Sequence, residues 1–146
     1  MEQRLDLART APGIMTTMRK LTAHVHDGPI EQRLLELVMV RASQINGCAF
    51  CIAMHVRAAI EAGENAGRLH LLPAWREAPG FSPRERAALA WTEALTRLGE
   101  HGVPDEVYAA AVTEFGEAEL AELSLAVVTI NGWNRLMIAF RVPPRG

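Results

Sequence analysis

The segment with the most chemistry in it runs Asn46-Gly47-Cys48-Ala49-Phe50-Cys51-Ile52-Ala53-Met54-His55. Two cysteines three residues apart fall on one face of a helix, one turn from each other, and can close a disulfide if the helix start is tight. Gly47 permits a turn, which puts Cys48 in the opening turn of the helix that follows. The free N–H groups and the positive end of the dipole there stabilise a thiolate. His55 follows Cys51 by four, so an imidazole stacks over a thiol. It can take the Cys51 proton directly or through water. Glu36 interrupts the apolar run Leu34-Leu35-Glu36-Leu37-Val38 on the preceding helix, and a carboxylate so placed needs a partner if buried. Across an antiparallel pair of helices it meets His55 and orients the imidazole, an arrangement suited to serving a thiol. A rival role for Glu36 is to pair with a basic side chain such as Arg41 or Arg57.

Other uses of these residues fit less well. Structural zinc wants four ligands, and Glu36 would have to join Cys48, Cys51 and His55. Covalent haem attachment needs a histidine directly after the second cysteine, where this chain has Ile52. A thioredoxin-type CxxC follows a strand, whereas a helical pattern precedes this one. No metal and no cofactor are therefore expected. His24, His26, His70 and His101 lack partnered spacing and are expected to be solvated or simply hydrogen-bonded. Trp75, Trp91 and Trp133 read as core or subunit-interface residues rather than as a substrate cage.

Helices position these residues, and the chain as a whole reads as all-α. Met15, Met18, Leu21 and Val25 mark a first helix that ends at Gly28-Pro29. A second begins near Pro29, carries Ile30, Leu34, Leu37, Val38, Arg41 and Ile45, and stops at Asn46-Gly47. The cysteine helix spans about Cys48 to Ala62. A short piece around Arg68 to Leu72 precedes Pro73. Ser82, Pro83 and Glu85 form a capping box that opens a long helix with Leu89, Trp91, Leu95 and Leu98, ending at Gly99. Pro104-Asp105 opens another that stops near Gly116, and a last one runs from Glu117 to about Phe140, before Pro143-Pro144. Leu35, Ile45, Asn46 and Gly47 are echoed at constant offset by Leu120, Ile130, Asn131 and Gly132, the signature of an internal helical pseudo-repeat.

Composition sets the outer limits. With 146 residues, 49% hydrophobic and 22% charged, residues 1–146 are expected to form one domain with a core and a polar surface. Seventeen acidic residues against fifteen basic ones leave a formal charge of -2, which argues against nucleic acid as a partner. No apolar stretch approaches the roughly 20 residues a membrane span requires. The first ten residues, MEQRLDLART, have no apolar export region, so a cytoplasmic protein is expected. In that compartment a close cysteine pair reads as redox-active or metal-binding rather than as a staple.

Taken together, Glu36, a CxxC twelve residues on, and a histidine four beyond it resemble the AhpD-like alkylhydroperoxidase group of the carboxymuconolactone decarboxylase superfamily. The resemblance covers LLELVMVRASQINGCAFCIAMHVRAA and extends through FSPRERAALAWTEALTRL and LAELSLAVVTINGWNRL. It implies an all-α fold, assembly as a homo-oligomer (trimer or hexamer), and peroxidase chemistry run by two thiols. It further implies that Cys51 attacks the hydroperoxide and Cys48 resolves it. His55 and Glu36 then form the proton relay, and an external dithiol or lipoyl-type donor restores the thiols. Apolar faces that one small domain does not cover also favour a homo-oligomer. One departure stands out: the family's characterised peroxidase has a histidine directly before the second cysteine, and this chain has Phe50. The decarboxylase branch lacks the cysteine pair, so a lyase using His55 and Glu36 is the alternative enzyme. A non-enzymatic oligomeric redox module is the alternative outside catalysis.

Overall fold

A computed structural model describes residues 2–144. Seven helices carry the fold among these residues: α1 (Leu7–Thr10), α2 (Pro12–His26), α3 (Gln32–Asn46), α4 (Ala49–Glu61), α5 (Ala66–Leu71), α6 (Pro83–Thr96) and α7 (Asp105–Ala139). A 3-10 turn, Leu72–Ala74, follows α5. The extended pairing is limited to an isolated bridge between Gly99 and Gly102. The all-α architecture expected from periodicity is the one observed, and it is the AhpD-like helical fold. No described helix is long and apolar enough to cross a membrane.

The organising element is α3, which packs against α4, α6 and α7. Every residue from Leu34 to Val40 is buried, as are Ala42 and Ser43, so α3 is enclosed on all sides rather than along a stripe. Its flanks feed two separate cores. Leu35, Val38, Met39 and Ala42 join Leu123, Val127 and Ile130 of α7, Trp91 of α6 and both cysteines. Leu37 and Val40 join Ala59, Leu69, Leu72, Trp75, Phe81 and Leu89 on the other side.

Several helix ends differ from the sequence reading. The second long helix starts at Gln32, not near Pro29, because Glu31 is extended (φ -57°, ψ 132°) and its carbonyl accepts the first helical bond, from the Leu35 N–H. Ile30 and Leu35 then share one buried cluster, in the positions of a hydrophobic staple. The α6 helix stops at Thr96 rather than Gly99, since Arg97 turns to φ -123°, ψ 78° and donates from its guanidinium to the Ile45 carbonyl at 3.2 Å. Leu98 is consequently 66% exposed instead of core. The Ser82–Glu85 capping box is fully formed. The expected break at Gly116 is also present: its φ of 69° kinks α7 between two helical halves, a conformation glycine adopts without strain.

The sequence echo has a structural counterpart in part. Asn46 donates to the Oδ1 of Asn131, its partner in the echo, at 2.9 Å, so the two equivalent positions meet where α3 crosses α7. The match then stops. Gly47 ends α3, whereas Gly132 stays inside α7 with Met18 Cε only 3.2 Å from where a Cβ would sit.

Candidate active site

The site begins with the turn between α3 and α4. Gly47 takes the left-handed conformation (φ 72°), its N–H bonds the Gln44 carbonyl, and the Cys48 N–H bonds the Ser43 carbonyl at 3.0 Å. This pair of bonds is a Schellman close, and it reverses the chain within two residues. Cys48 is therefore the N-cap of α4, not a residue of its first turn as the sequence suggested. Its backbone is extended (φ -86°, ψ 94°), and its sulfur accepts the Cys51 N–H at 3.3 Å. Cys48 and Cys51 are joined as a disulfide with a Cα–Cα distance of 5.3 Å. Both are buried within the first core.

One turn further on, His55 Nδ1 lies 2.7 Å from Glu36 Oε2. The carboxylate is 1% exposed and the imidazole 7%, so the pair is enclosed. The other oxygen of Glu36 accepts from Gln32 Nε2 at 2.6 Å. Arg41, a rival partner on sequence grounds, turns away to Glu93 at 2.8 Å and to Gln44. Glu36 is thus satisfied by an imidazole and a neutral amide. A carboxylate against Nδ1 fixes that nitrogen as the proton-bearing one whenever the ring is neutral, leaving Nε2 to exchange protons.

Sequence reasoning passed over Gln32, although a glutamine four residues before a buried glutamate is an i,i+4 signal. Its Oε1 also meets His26 Nδ1 at 3.2 Å, giving a hydrogen-bonded chain from His26 through Gln32 and Glu36 to His55. Trp133 packs against the first core, as expected, and also faces open space. It lines a cavity of about 430 Å³ together with Met15, Arg19, Thr22, Phe50, Cys51, Met54 and Met137. Its indole N–H is held by Thr22 Oγ1 at 2.8 Å. Trp75 and Trp91 are buried, as anticipated. Among the described residues no group of three or more His, Cys, Asp or Glu side chains could hold a metal ion.

Residues 12–94, which include all four candidate side chains, match the carboxymuconolactone decarboxylase family. The chain belongs to that family. Within it, the uncharacterised protein YdfG of Bacillus subtilis is 38% identical over 139 residues, covering 95% of each chain. The uncharacterised protein YnjA of Escherichia coli is 27% identical over 118 residues, or 81% of this chain and 64% of that one. A crystal structure of an Agrobacterium tumefaciens protein of unknown function, provisionally assigned to antioxidant defence as AhpD, superimposes with a TM-score of 0.96. It has 33% sequence identity and covers 99% of both chains. A family member with the AhpD-like fold, a closed cysteine pair and a buried histidine–carboxylate contact has the makings of a redox-active site.

Proposed function

We propose that this family member is a thiol-dependent peroxidase. In its reduced form the Cys51 thiolate attacks the terminal oxygen of ROOH, breaking the O–O bond. ROH departs and Cys51 becomes a sulfenic acid. Cys48 gives up its thiol proton and attacks the Cys51 sulfur; the S–O bond breaks, the departing hydroxide takes up a proton and leaves as water, and the disulfide forms. An external dithiol returns two electrons and reopens it. His55 holds the proton taken from Cys51 and delivers it to the departing alkoxide, while Glu36 orients the ring and stabilises its protonated form. The observation that carries this reading is the enclosed His55–Glu36 contact, one turn along α4 from a cysteine pair already bonded. The cavity beside Cys51, walled by Met15, Met54, Trp133 and Phe50 with one charged side chain, Arg19, has the apolar surface an alkyl hydroperoxide would need.

Exposed apolar side chains on α7 and on the connection before it, including Leu98, Tyr108 and Val128, support action as a homo-oligomer, a trimer or a hexamer. The deciding experiment is stopped-flow mixing of the fully reduced protein with an alkyl hydroperoxide. One disulfide should form per chain for each peroxide consumed, and Cys48→Ala should accumulate Cys51 sulfenic acid instead. Oxidation trapped chiefly on Cys48, in a Cys51→Ala variant that still reacts at the wild-type rate, would exchange the two roles. A lactone-directed lyase activity that survives loss of both cysteines would replace the reading altogether.

A further inference from the structure

The two cysteines open on different cavities. Cys51 lines the apolar one described above. Cys48 lines a second, of about 480 Å³, whose walls include Arg4, Ala49 and Arg141. Phe50 and Met137 line both cavities. Arginines line both chambers, Arg19 alone in the first and Arg4 with Arg141 in the second, so the Cys48 chamber carries the larger positive charge. Arg4 donates to the carbonyl of Ala139 at 3.2 Å, and Arg141 is exposed; a guanidinium stays charged throughout the working pH range. Among the described residues that line the Cys48 chamber there is no acidic side chain.

We propose that the Cys48 cavity is the entry site for the reductant, separate from the hydroperoxide cavity, and that it takes a thiol carrying negative charge. The proposal rests on the redox reading of the cysteine pair, which it extends to the second substrate. The reductant thiolate attacks Cys48 Sγ, the Cys48–Cys51 bond breaks, and Cys51 leaves with the electron pair as a thiolate. A mixed disulfide remains on Cys48. The second thiol of a dithiol reductant, having lost its proton to solvent, attacks the reductant sulfur of that mixed disulfide. Cys48 is released as a thiolate, and the reductant leaves oxidised by two electrons. Cys51 is the better leaving group because it lies inside the first turn of α4 with His55 one turn beyond it, and thiols of lower pKa leave faster. Each cysteine thus has its own cavity for its own substrate, with Phe50 and Met137 common to both.

The test isolates the reductive half-reaction. The oxidised wild-type protein is mixed with mercaptoethanesulfonate, mercaptoethanol or cysteamine, which share a two-carbon frame and carry negative, no and positive charge. Each rate is divided by that of the same thiol toward a small neutral disulfide, which removes intrinsic reactivity. After acid quenching and alkylation, fragmentation of the peptide containing both cysteines locates the adduct. The proposal predicts an adduct on Cys48 and a sulfonate rate about fivefold above the ammonium rate at low salt, the scale of two exposed charges. High salt, or the pair Arg4→Gln and Arg141→Asn, should bring that ratio close to one; asparagine is chosen because residue 141 has φ 52°. An adduct on Cys51, a wild-type ratio near one, or a ratio that survives both high salt and the double substitution would overturn the proposal. The wild-type charge series and salt titration decide it even if the double variant folds poorly. Hydroperoxide oxidation is measured separately on reduced protein. Charge-ordered reduction without peroxide reactivity would support this site while overturning the peroxidase reading.

Discussion

Buried carboxylates are handled in two ways on the two sides of α3. On the side of the second core, acidic side chains meet arginines. Glu64 and Glu85 both bind Arg68, at 2.8 Å each, and the same guanidinium reaches the Gly80 carbonyl and stacks on Phe81. Glu93 gathers Arg41, Arg76 and the Trp75 indole. Arg86 spreads over the carbonyls of Trp75, Arg76, Ala78 and Phe81. These cations never give up their protons, so their contacts tie together α3, α5, α6 and the 75–82 segment without moving a proton. Facing the disulfide, Glu36 meets His55, the one side-chain type whose proton moves in the neutral range. The carboxylates on the two sides of α3 therefore meet partners of different kinds. An arginine partner fixes a fold, and a histidine partner is what the proposed proton relay requires.

The largest expected effect probes the histidine side. His55→Ala should lower the rate of peroxide reaction by about 10²- to 10⁴-fold, the usual worth of positioned acid–base help, with the fold intact. Circular dichroism and single-turnover rates check it. A variant of unchanged rate would put His55 with the structural pairs. Arg68→Ala should do the opposite. Losing the closer of their two cations, with Arg33 still 3.8 Å from Glu64 and 3.7 Å from Glu85, should cost about 2 kcal/mol and lower Tm by about 4–8 °C, with the peroxide rate of the folded protein unaltered. A rate change there would show that the two sides are coupled through α3. The smallest effect is on acid stability. Burial alone would raise the Glu93 carboxyl, but hydrogen bonds from Trp75, Arg76 and Arg41 outweigh it and hold the group below the usual carboxylate range. A carboxyl depressed in the folded state stabilises above its unfolded value, and the benefit is lost as pH falls through the folded one. Glu93→Gln should therefore lower Tm at neutral pH, and the gap from wild type should close below about pH 4.3. A gap that is constant with pH would mean that the carboxylate charge contributes nothing.

What could be read from the sequence, and what could not, divides along physical lines. The α3–α4 turn, the Ser82 cap and the Gly116 kink were legible because glycine, proline and a capping box act locally. The meeting of Glu36 and His55 was legible because two antiparallel helices joined by a short turn bring distant positions together. The start of α3 was misplaced because Pro29 suits a first helical position, whereas Glu31 is held extended by the chain's entry into the core. Leu98 was misassigned because its helix ends two residues earlier, where Arg97 reaches across to the α3 carboxyl end. Two features had no local signal. The chain from His26 through Gln32 depends on the path of the α2–α3 connection. The separation of the two cysteines into different cavities depends on Met137 and Arg141, which lie some ninety residues further along the chain.

The measurement closest to the central claim is the peroxide reaction of Glu36→Gln from pH 6 to 9, beside wild type, His55→Ala and the double variant. Glutamine keeps the shape and the hydrogen bond at 2.7 Å but removes the charge that holds the imidazole proton. The account predicts a rate well below wild type with a displaced pH profile and an unchanged oligomer. It also predicts a double variant slower than either single one by much less than the product of their effects, because both groups serve one proton transfer. A wild-type rate and profile with a lowered Tm would contradict it, and would make Glu36 a structural carboxylate like Glu64, Glu85 and Glu93.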